Sequence, residues 1–339
     1  MRKVLVPAAA TFAFMVGASA VHALSIDLVP VGNPGNAGNA NDHNFTQVGA
    51  VSYNYQIGRT EVSNAQYAEF LNAVDPTGVN LHALYNPKMS NSASGAYDTG
   101  GIDFTAGAAS GTKYSVKSGK GNNPVIWVSW DDAARFVNWL HNGQGVGTTE
   151  LGVYDMTQTN PARSANATWV LPNRDEWVKA AFYDPSKSGG AGYYNYANRS
   201  DTAPTSENPV SLVNPTNSAN FISPGGAYAV TGNTTLDTNQ NYLTDVGAYT
   251  QSQSAYGTRD QDGNVFEWNE TLLPSVLRET RGGDWSHVSF YMQATNYIGQ
   301  TPGTEANFIG FRVALVPEPA SLSILSLSAL ALTRRRRRA

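Results

Sequence analysis

Three segments of the chain have apolar residues spaced as on one face of an α-helix. In the first segment these residues recur at intervals of three and four positions: Tyr67, Phe70, Leu71 and Val74. Ser63 comes just before this pattern, and Gln66 lies three positions later, which is the spacing of a capping box. The pattern therefore predicts a short amphipathic helix that begins after Ser63.

The other two segments repeat this arrangement with different capping residues. Ser129 and Asp132 form the predicted box of the second helix, and Asn173 and Glu176 form that of the third. The predicted buried positions are Trp130, Ala133, Ala134 and Val137 in the second helix, and Trp177, Ala180 and Ala181 in the third. Because Asp132 is used by the cap and adjacent helical residues point in different directions, we interpret Asp131 and Asp132 as structural, not as a catalytic carboxylate pair.

Short β-type runs and long polar loops surround these helices. One run precedes each helix, at residues 55–58, 125–128 and 169–171. Residues 76–123 are rich in Gly, Ser and Ala and predict a long surface insertion, with a hairpin around residues 113–116. Residues 186–241 predict a second long loop. The chain is therefore predicted to be an α+β protein with little regular secondary structure.

The first 44 residues predict a cleaved leader and a linker. Arg2 and Lys3 are followed by an apolar run and then by small residues up to Ala23, which is the pattern of a secretory signal peptide over residues 1–23. Residues 24–44 become rich in Asn and Gly and predict a flexible linker, so the folded domain is expected to span residues 45–316.

The last 23 residues, 317–339, combine three features in a fixed order. A Pro-Glu-Pro motif at 317–319 precedes an apolar run at 320–333, and five arginines follow at 334–338. The run is shorter than the roughly 20 residues of a stable membrane span, so it predicts a transient anchor whose arginines stay in the cytoplasm. This order resembles the PEP-CTERM sorting signal. The resemblance implies an exosortase-type protease as a partner and export to the envelope, outer surface or extracellular matrix of a Gram-negative bacterium.

Charge and cysteine content exclude several classes of function. Of the 22 Lys and Arg, seven lie in the two end segments, and of the 26 Asp and Glu only Glu318 does, so the remaining body is close to ten charges negative. Nucleic acid and anionic membranes are poor partners for such a body. The absence of cysteine excludes disulfides, thiolate metal sites and thiol nucleophiles.

The stretch DQDGNVFEW at residues 260–268 is the strongest candidate for a site. Asp260 and Glu267 are oxygen donors on either side of Gly263, which allows the backbone to fold back so that its carbonyls face a hard cation such as calcium. The alternative is an ordinary acidic turn that leads into a buried element. The residues of the stretch leave both alternatives open.

Six blocks of the body resemble, in order, the formylglycine-generating enzyme family, also called the sulfatase-modifying factor domain. These blocks are residues 57–74, 123–140, 169–184, 256–270, 281–286 (RGGDWS) and 308–314 (FIGFRVA). The resemblance implies a C-type-lectin-like α+β fold with little regular secondary structure and long loops.

The same resemblance implies calcium as a cofactor. A first calcium ion is expected at Asp260, where the family usually has Asn, at the carbonyls of Gly263 and Val265, and at the carboxylate of Glu267. A second is expected from Asn220, the carbonyl of Phe221, and Asp237 or Asn239. With six blocks in family order, calcium becomes the favoured interpretation of the turn.

The chain departs from the family where the chemistry takes place. The enzyme uses two cysteines beyond its RGG motif to bind copper, and those positions hold His287 and Met292. Two such ligands at this spacing are not a copper site, so no copper and no catalytic residue of the family is expected. We interpret His287 as lining a former cleft and Met292 as packing in the core.

The sequence therefore predicts an exported, non-catalytic, calcium-stabilised protein with a binding or structural function. A polysaccharide or protein is the expected ligand at its surface, and Tyr193, Tyr194 and Tyr196 are either stacking residues for it or ordinary packing. The alternatives are a divergent oxidoreductase or hydrolase that uses the cleft around His287, and a purely structural matrix protein.

Overall fold

The structure, a computed structural model, describes residues 23–39, 47–90, 97–211 and 216–318. The predicted apolar segment 320–333, the arginine tail and nearly all of the predicted signal peptide lie outside the described residues. Among the described residues, none of the helices combines the length and hydrophobicity needed to cross a membrane.

The described residues form three α-helices and fourteen strands. The helices are α1 (Asn64–Val74), α2 (Trp130–His141) and α3 (Arg174–Phe182). The strands are β1 (Leu28–Val31), β2 (Tyr55–Gly58), β3 (Ile102–Phe104), β4 (Tyr114–Val116), β5 (Trp169–Val170), β6 (Tyr183–Asp184), β7 (Gly192–Tyr193), β8 (Thr205–Ser206), β9 (Ser218–Ala219), β10 (Phe266–Leu273), β11 (Leu277–Arg281), β12 (Ile298–Gln300), β13 (Ile309–Phe311) and β14 (Ala314–Leu315). The predicted α+β class with long loops is confirmed.

All three predicted helices form, and each begins with its predicted capping box. In α1, the side chain of Ser63 accepts a hydrogen bond from the backbone of Gln66, whose side chain accepts one from the backbone of Ser63. Ser129 with Asp132 and Asn173 with Glu176 do the same in α2 and α3. These boxes satisfy backbone N–H groups that the first turn of a helix leaves without partners.

Aromatic packing joins the helices to the sheets. The ring of Phe136 in α2 lies 5.2 Å from that of Phe70 and 6.1 Å from that of Tyr67 in α1, and 5.3 Å from that of Phe311 in β13. All four side chains are buried. Burial of one such ring contributes roughly 1.5–3 kcal/mol, so this cluster is a large part of the core.

Two four-stranded sheets hold the site region in place. One sheet has the order β1-β2-β14-β5 and is antiparallel throughout. The other has the order β12-β11-β10-β13, in which β10 pairs with β11 antiparallel and with β13 in parallel. Strand β10 is therefore central, and residues at its start are covered on both sides.

The predicted flexible linker at 24–44 is wrong for its first part. Residues 28–31 form β1, which pairs with β2 from Leu28 opposite Gly58 to Val31 opposite Tyr55, and both Val29 and Val31 are buried. The Asn and Gly residues that follow obscured this short alternation of buried and exposed positions. Residues 40–46 lie outside the described part of the chain.

Two other loop and strand predictions also need correction. Residues 125–128 are buried but do not form a strand, because Trp127 has a positive φ of 59° and the backbone bonds instead to the carbonyls of Val62 and Ala306. The segment 76–123 is not only a surface insertion, since it buries Leu84, Tyr85, Met89, Ile102 and Tyr114. The predicted hairpin is confirmed as β3 paired with β4.

Candidate functional site

The acidic turn leads directly into β10, and Gly263 fixes its shape. Gly263 has a φ of 83°, and a Cβ there would lie 2.3 Å from the carbonyl oxygen of Asn220. The neighbouring backbone N–H of Asn264 donates to that same carbonyl at 2.8 Å. Only glycine allows this close approach, as the sequence predicts.

Glu267, the last acidic residue of the turn, forms a fully buried ion pair with Arg312. The Nε and Nη2 groups of Arg312 each donate to one carboxylate oxygen at 2.5 Å, and both side chains have 0% exposure. The indole N–H of Trp177 donates to Oε2 at 2.7 Å. A bidentate guanidinium pair is the geometry that best compensates the loss of water around a carboxylate.

Two further buried carboxyl groups lie beside this pair. Oε1 of Glu61 accepts a hydrogen bond from the side chain of Asn264 at 3.0 Å, while Oε2 has no partner among the described residues. Asp260 accepts one from the backbone N–H of Gly247. Burial raises the pKa of Glu61 well above its usual range, with the charges of Asp260 and Glu267 adding to this, and burial also raises the pKa of Asp260. Three carboxyl groups therefore face one guanidinium.

Both carboxylates of the first predicted calcium site already accept hydrogen bonds. Glu267 accepts two from Arg312 and one from Trp177, so a calcium ion there would have to share this carboxylate with the guanidinium. In the described part of the chain, no three His, Cys, Asp or Glu side chains are arranged to hold a metal ion. The calcium ion implied by the family stays a prediction.

The second predicted calcium site is divided between the interior and the surface. Asn220 is buried, and its amide nitrogen donates to the carbonyl of Tyr242 and to Oδ1 of Asn264. The carbonyl of Phe221 accepts from Ser206 Oγ at 2.5 Å. Asp237 and Asn239 are exposed, and the backbone N–H of Asn239 donates to Asp237 Oδ1 at 2.9 Å. Within the described residues, no contact joins the exposed pair to Asn220 or Phe221.

The two positions of the family cysteines have separate environments. Nδ1 of His287 lies 2.6 Å from Oδ2 of the buried Asp284, and this hydrogen bond raises the pKa of His287 above its usual value. Met292 is 1% exposed, and its Cγ lies 2.6 Å from where a Cβ of Gly283 would be. The histidine is thus half-buried at the surface, whereas the methionine packs in the core.

The sequence analysis missed Asp284 as the partner of His287. Its signal was the spacing of three residues within RGGDWSH, which brings a carboxylate and an imidazole together in a tight turn. Around the imidazole, the rings of Phe266, Tyr291 and Phe308 have centroids 5.0–5.6 Å away. Aromatic edges on several sides hold the imidazole in one orientation.

Residues 26–316 match the sulfatase-modifying factor enzyme 1-like domain. The chain belongs to this family. The matched region starts inside the segment predicted to be a linker, in agreement with the position of β1. No curated protein sequence matches the chain significantly.

Several solved structures are similar to this chain. Treponema denticola variable protein 1 is 20% identical, with a TM-score of 0.50, covering 88% of this chain and 98% of that one. CarF is 21% identical, with a TM-score of 0.48 and coverage of 87% and 99%. PvdO from Pseudomonas aeruginosa is 16% identical, with a TM-score of 0.43 and coverage of 87% and 93%. At 20% identity, the similarity to the Treponema denticola protein shows the fold alone.

The three tyrosines considered as stacking residues in this family member have different environments. Tyr196 is buried, and the hydroxyl of Tyr193 donates toward the backbone carbonyls of Ala37 and Gly49. Packing therefore explains Tyr193 and Tyr196. Tyr194 is half-buried, and the ammonium group of Lys187 lies 4.1 Å from its ring centroid.

Asp262, in the middle of the acidic turn, is a buried carboxyl group with few partners. Its Oδ2 accepts from the backbone N–H of Asn198 at 3.2 Å, while Oδ1 has no partner among the described residues. Burial raises the pKa of Asp262 to about 7. Ionised Asp262 is therefore unfavourable in the folded protein.

The ion pair with Arg312 predicts that EGTA leaves the melting temperature unchanged, because the guanidinium already neutralises Glu267 without a metal ion. Thermal unfolding with excess calcium, with excess magnesium and with EGTA is the measurement. A melting temperature that rises with calcium but not with magnesium would contradict this expectation and support the calcium ion implied by the family.

The raised pKa of Asp262 predicts a loss of stability as the pH rises. The favourable contribution of the protonated carboxyl group is complete below its unfolded pKa of 3.8 and is lost as the pH rises through about 7. A difference of about three pKa units corresponds to a free energy on the order of 4 kcal/mol at most.

Asp262→Asn is therefore expected to raise the free energy of unfolding more at pH 8 than at pH 5, as measured by chemical denaturation. Asp237→Asn, at an exposed position, serves as the control and should show no such difference. Equal effects of Asp262→Asn at the two pH values would show that the carboxyl group is not responsible.

Proposed function

We propose that this protein is an exported, non-catalytic member of the sulfatase-modifying factor family that binds a polysaccharide or protein at the cell surface or in the extracellular matrix. One observation carries the non-catalytic part: the two cysteine positions hold His287, which is bonded to Asp284, and Met292, which packs in the core. Since the whole chain has no cysteine, a thiolate pair cannot form elsewhere either.

The surroundings of His287 and Met292 also argue against a copper site made of these two residues in place of the cysteines. A metal bound by His287 and Met292 would need the thioether to leave its packing against Gly283, Tyr196 and Phe221. Such a movement would open a cavity in the core, at a cost of about 2–5 kcal/mol for a side chain of this size. Only the imidazole is at the surface.

The alternative, a hydrolase built on His287, has one observation in its favour. A histidine oriented by a buried aspartate is the usual base of a nucleophilic site. Ser286 is the neighbouring hydroxyl, but its Oγ bonds to Asp284 Oδ1 at 2.6 Å and faces the same imidazole nitrogen that Asp284 already occupies. Ser286 is thus on the wrong side of the ring to be activated by it.

The surface beside His287 is suited to binding. Phe290 is 56% exposed and Val288 is 43% exposed, next to the half-buried Tyr291 and Phe308. Clustered exposed apolar side chains are typical of interaction sites. The negative charge of the body excludes nucleic acid as a partner here.

Export is supported by the features at both ends of the chain. The leader pattern at residues 1–23 and the PEP-CTERM resemblance at 317–339 each point to passage across the inner membrane, with the apolar run 320–333 as a transient anchor. Glu318 of the Pro-Glu-Pro motif is exposed, shortly after β14. A protease of the exosortase type can therefore reach this peptide without unfolding the domain.

The purified protein is expected not to oxidise a sulfatase-type cysteine peptide in the presence of copper and oxygen, because it lacks the thiolate pair. The measurement is mass spectrometry of the peptide after incubation, with a cysteine-containing member of the family as positive control. Turnover that disappears in His287→Ala would overturn the non-catalytic proposal and favour the oxidoreductase alternative.

In a host with an exosortase, the protein is expected to lose its C-terminal segment, so that its mature end lies near residues 317–319. Intact-mass measurement on the envelope and culture fractions tests this. Deletion of residues 334–338 should abolish processing, because the positive charges hold the tail in the cytoplasm. Replacement of the same five arginines by lysines keeps the positive charge, so processing should continue. Uncut protein in the cytoplasm would contradict export.

A further inference from the structure

A polar groove of about 430 Å³ opens on the surface, and His287 does not line it. Three loops form it: the loop after β7, the residues before β9, and the extended stretch at 251–254. Its main lining side chains are Tyr194, Asn198, Arg199, Asn217, Gln251 and Gln253. The volume lies within the range of small-ligand sites, which is about 300–1,000 Å³.

Four carboxamides distinguish this groove from an ordinary surface depression. Gln251 and Gln253 are exposed, whereas Ser252 and Ser254 beside them are buried, and both glutamines line the groove. Within the described residues, neither glutamine side chain makes a hydrogen bond to the protein. Each therefore presents one donor group and one acceptor group to solvent.

Asn217 contributes an acceptor that the described protein does not satisfy. Its Nδ2 donates to Ser200 Oγ at 3.2 Å and to the carbonyl of Thr202 at 3.2 Å, which fixes the orientation of the amide. Its Oδ1 is buried and has no partner among the described residues. Both ends of this amide are therefore turned into the protein, and Asn217 shapes the groove without offering a group to a ligand.

Asn198, another residue that lines the groove, is bonded to the acidic turn. The backbone N–H of Asn198 donates to Asp262, and its side chain donates to the carbonyl of Ser218 at 3.3 Å. A preformed wall reduces the conformational entropy that the protein loses on binding. The turn and the groove are therefore parts of one structural unit.

The groove is close to electrically neutral. No carboxylate lines it, and the guanidinium of Arg199 donates to Asp184 Oδ2 through Nε at 3.2 Å and Nη2 at 3.0 Å. Neutral amides that offer both donors and acceptors match a ligand with many hydroxyl groups better than they match an ion. A peptide would instead need an open strand edge or apolar pockets, and neither lines this groove.

We propose that this groove binds an uncharged saccharide, whose hydroxyl groups bond to the amides of Gln251 and Gln253 while Tyr194 packs against a sugar ring. The Lys187 ammonium covers one face of the Tyr194 ring and holds it in place. The proposal rests on the proposed binding function and names the class of its ligand.

The test is isothermal titration of the full-length protein with cellohexaose, laminarihexaose and maltohexaose, and with hexagalacturonic acid as an anionic probe. At least one neutral hexasaccharide is expected to bind more tightly than the anionic one. The double variant Gln251→Ala/Gln253→Ala is expected to weaken that binding at least tenfold. Because neither side chain bonds to the described protein, the variant should keep the melting temperature of the wild type.

Substitutions at Gln158 and Tyr194 test whether the loss of affinity is specific to the groove. Gln158→Ala, at an exposed glutamine that lines a different cavity near α2, is the matched control and should bind like the wild type. Tyr194→Phe should also keep the affinity, whereas Tyr194→Ala should lose it, if the ring and not the hydroxyl contacts the sugar.

Three results would overturn the saccharide proposal: no binding of any neutral hexasaccharide, unchanged affinity in the double glutamine variant, or tighter binding of hexagalacturonic acid. The peptide-oxidation assay on the same sample separates this failure from failure of the proposed function. A protein that neither oxidises the peptide nor binds a saccharide loses only the groove proposal, while one that oxidises the peptide loses the non-catalytic function.

Discussion

Arg312 comes late in the chain and reaches the centre of the fold, where all five of its N–H groups have an acceptor. Two go to Glu267, and the others go to the carbonyls of Gly58, Arg59 and Arg259. The end of β2, the loop before the acidic turn, and the start of β10 are thereby fixed to one side chain. Removing either charge would leave the other buried without a partner, at a cost of about 3–5 kcal/mol. The pair therefore contributes strongly to the stability of the region around the acidic turn.

The region around the turn has more buried carboxyl groups than one arginine can neutralise. Glu61 and Asp260 lie beside the pair, and burial raises the pKa of both carboxyl groups. In such surroundings a carboxyl group becomes stable either by holding a proton or by facing a cation. In this structure the guanidinium of Arg312 neutralises Glu267, and burial favours the protonated form of the two neighbouring carboxyl groups.

The rigid interior and the variable loops of this family member have separate roles. The interior keeps the aromatic cluster of α1, α2 and β13 and the ion pair at β10. The positions of the two family cysteines hold His287 and the packed Met292, while exposed polar side chains such as Gln251 and Gln253 lie on loops. Loops tolerate substitution because few core contacts depend on them. Their side chains can therefore change while the fold is kept.

Sequence alone determined what depends on residues a few positions apart. The capping boxes at Ser63, Ser129 and Asn173 were predicted because their bonds span only three residues, and Gly263 because its turn is local. The tertiary structure decided the rest. Strand β1 became visible only through its pairing with β2, and the partner of Glu267 is an arginine 45 residues later. The residues near Glu267 in the sequence do not tell whether its partner is a metal ion or a guanidinium. Arg312 reaches Glu267 only through the pairing of β10 with β13.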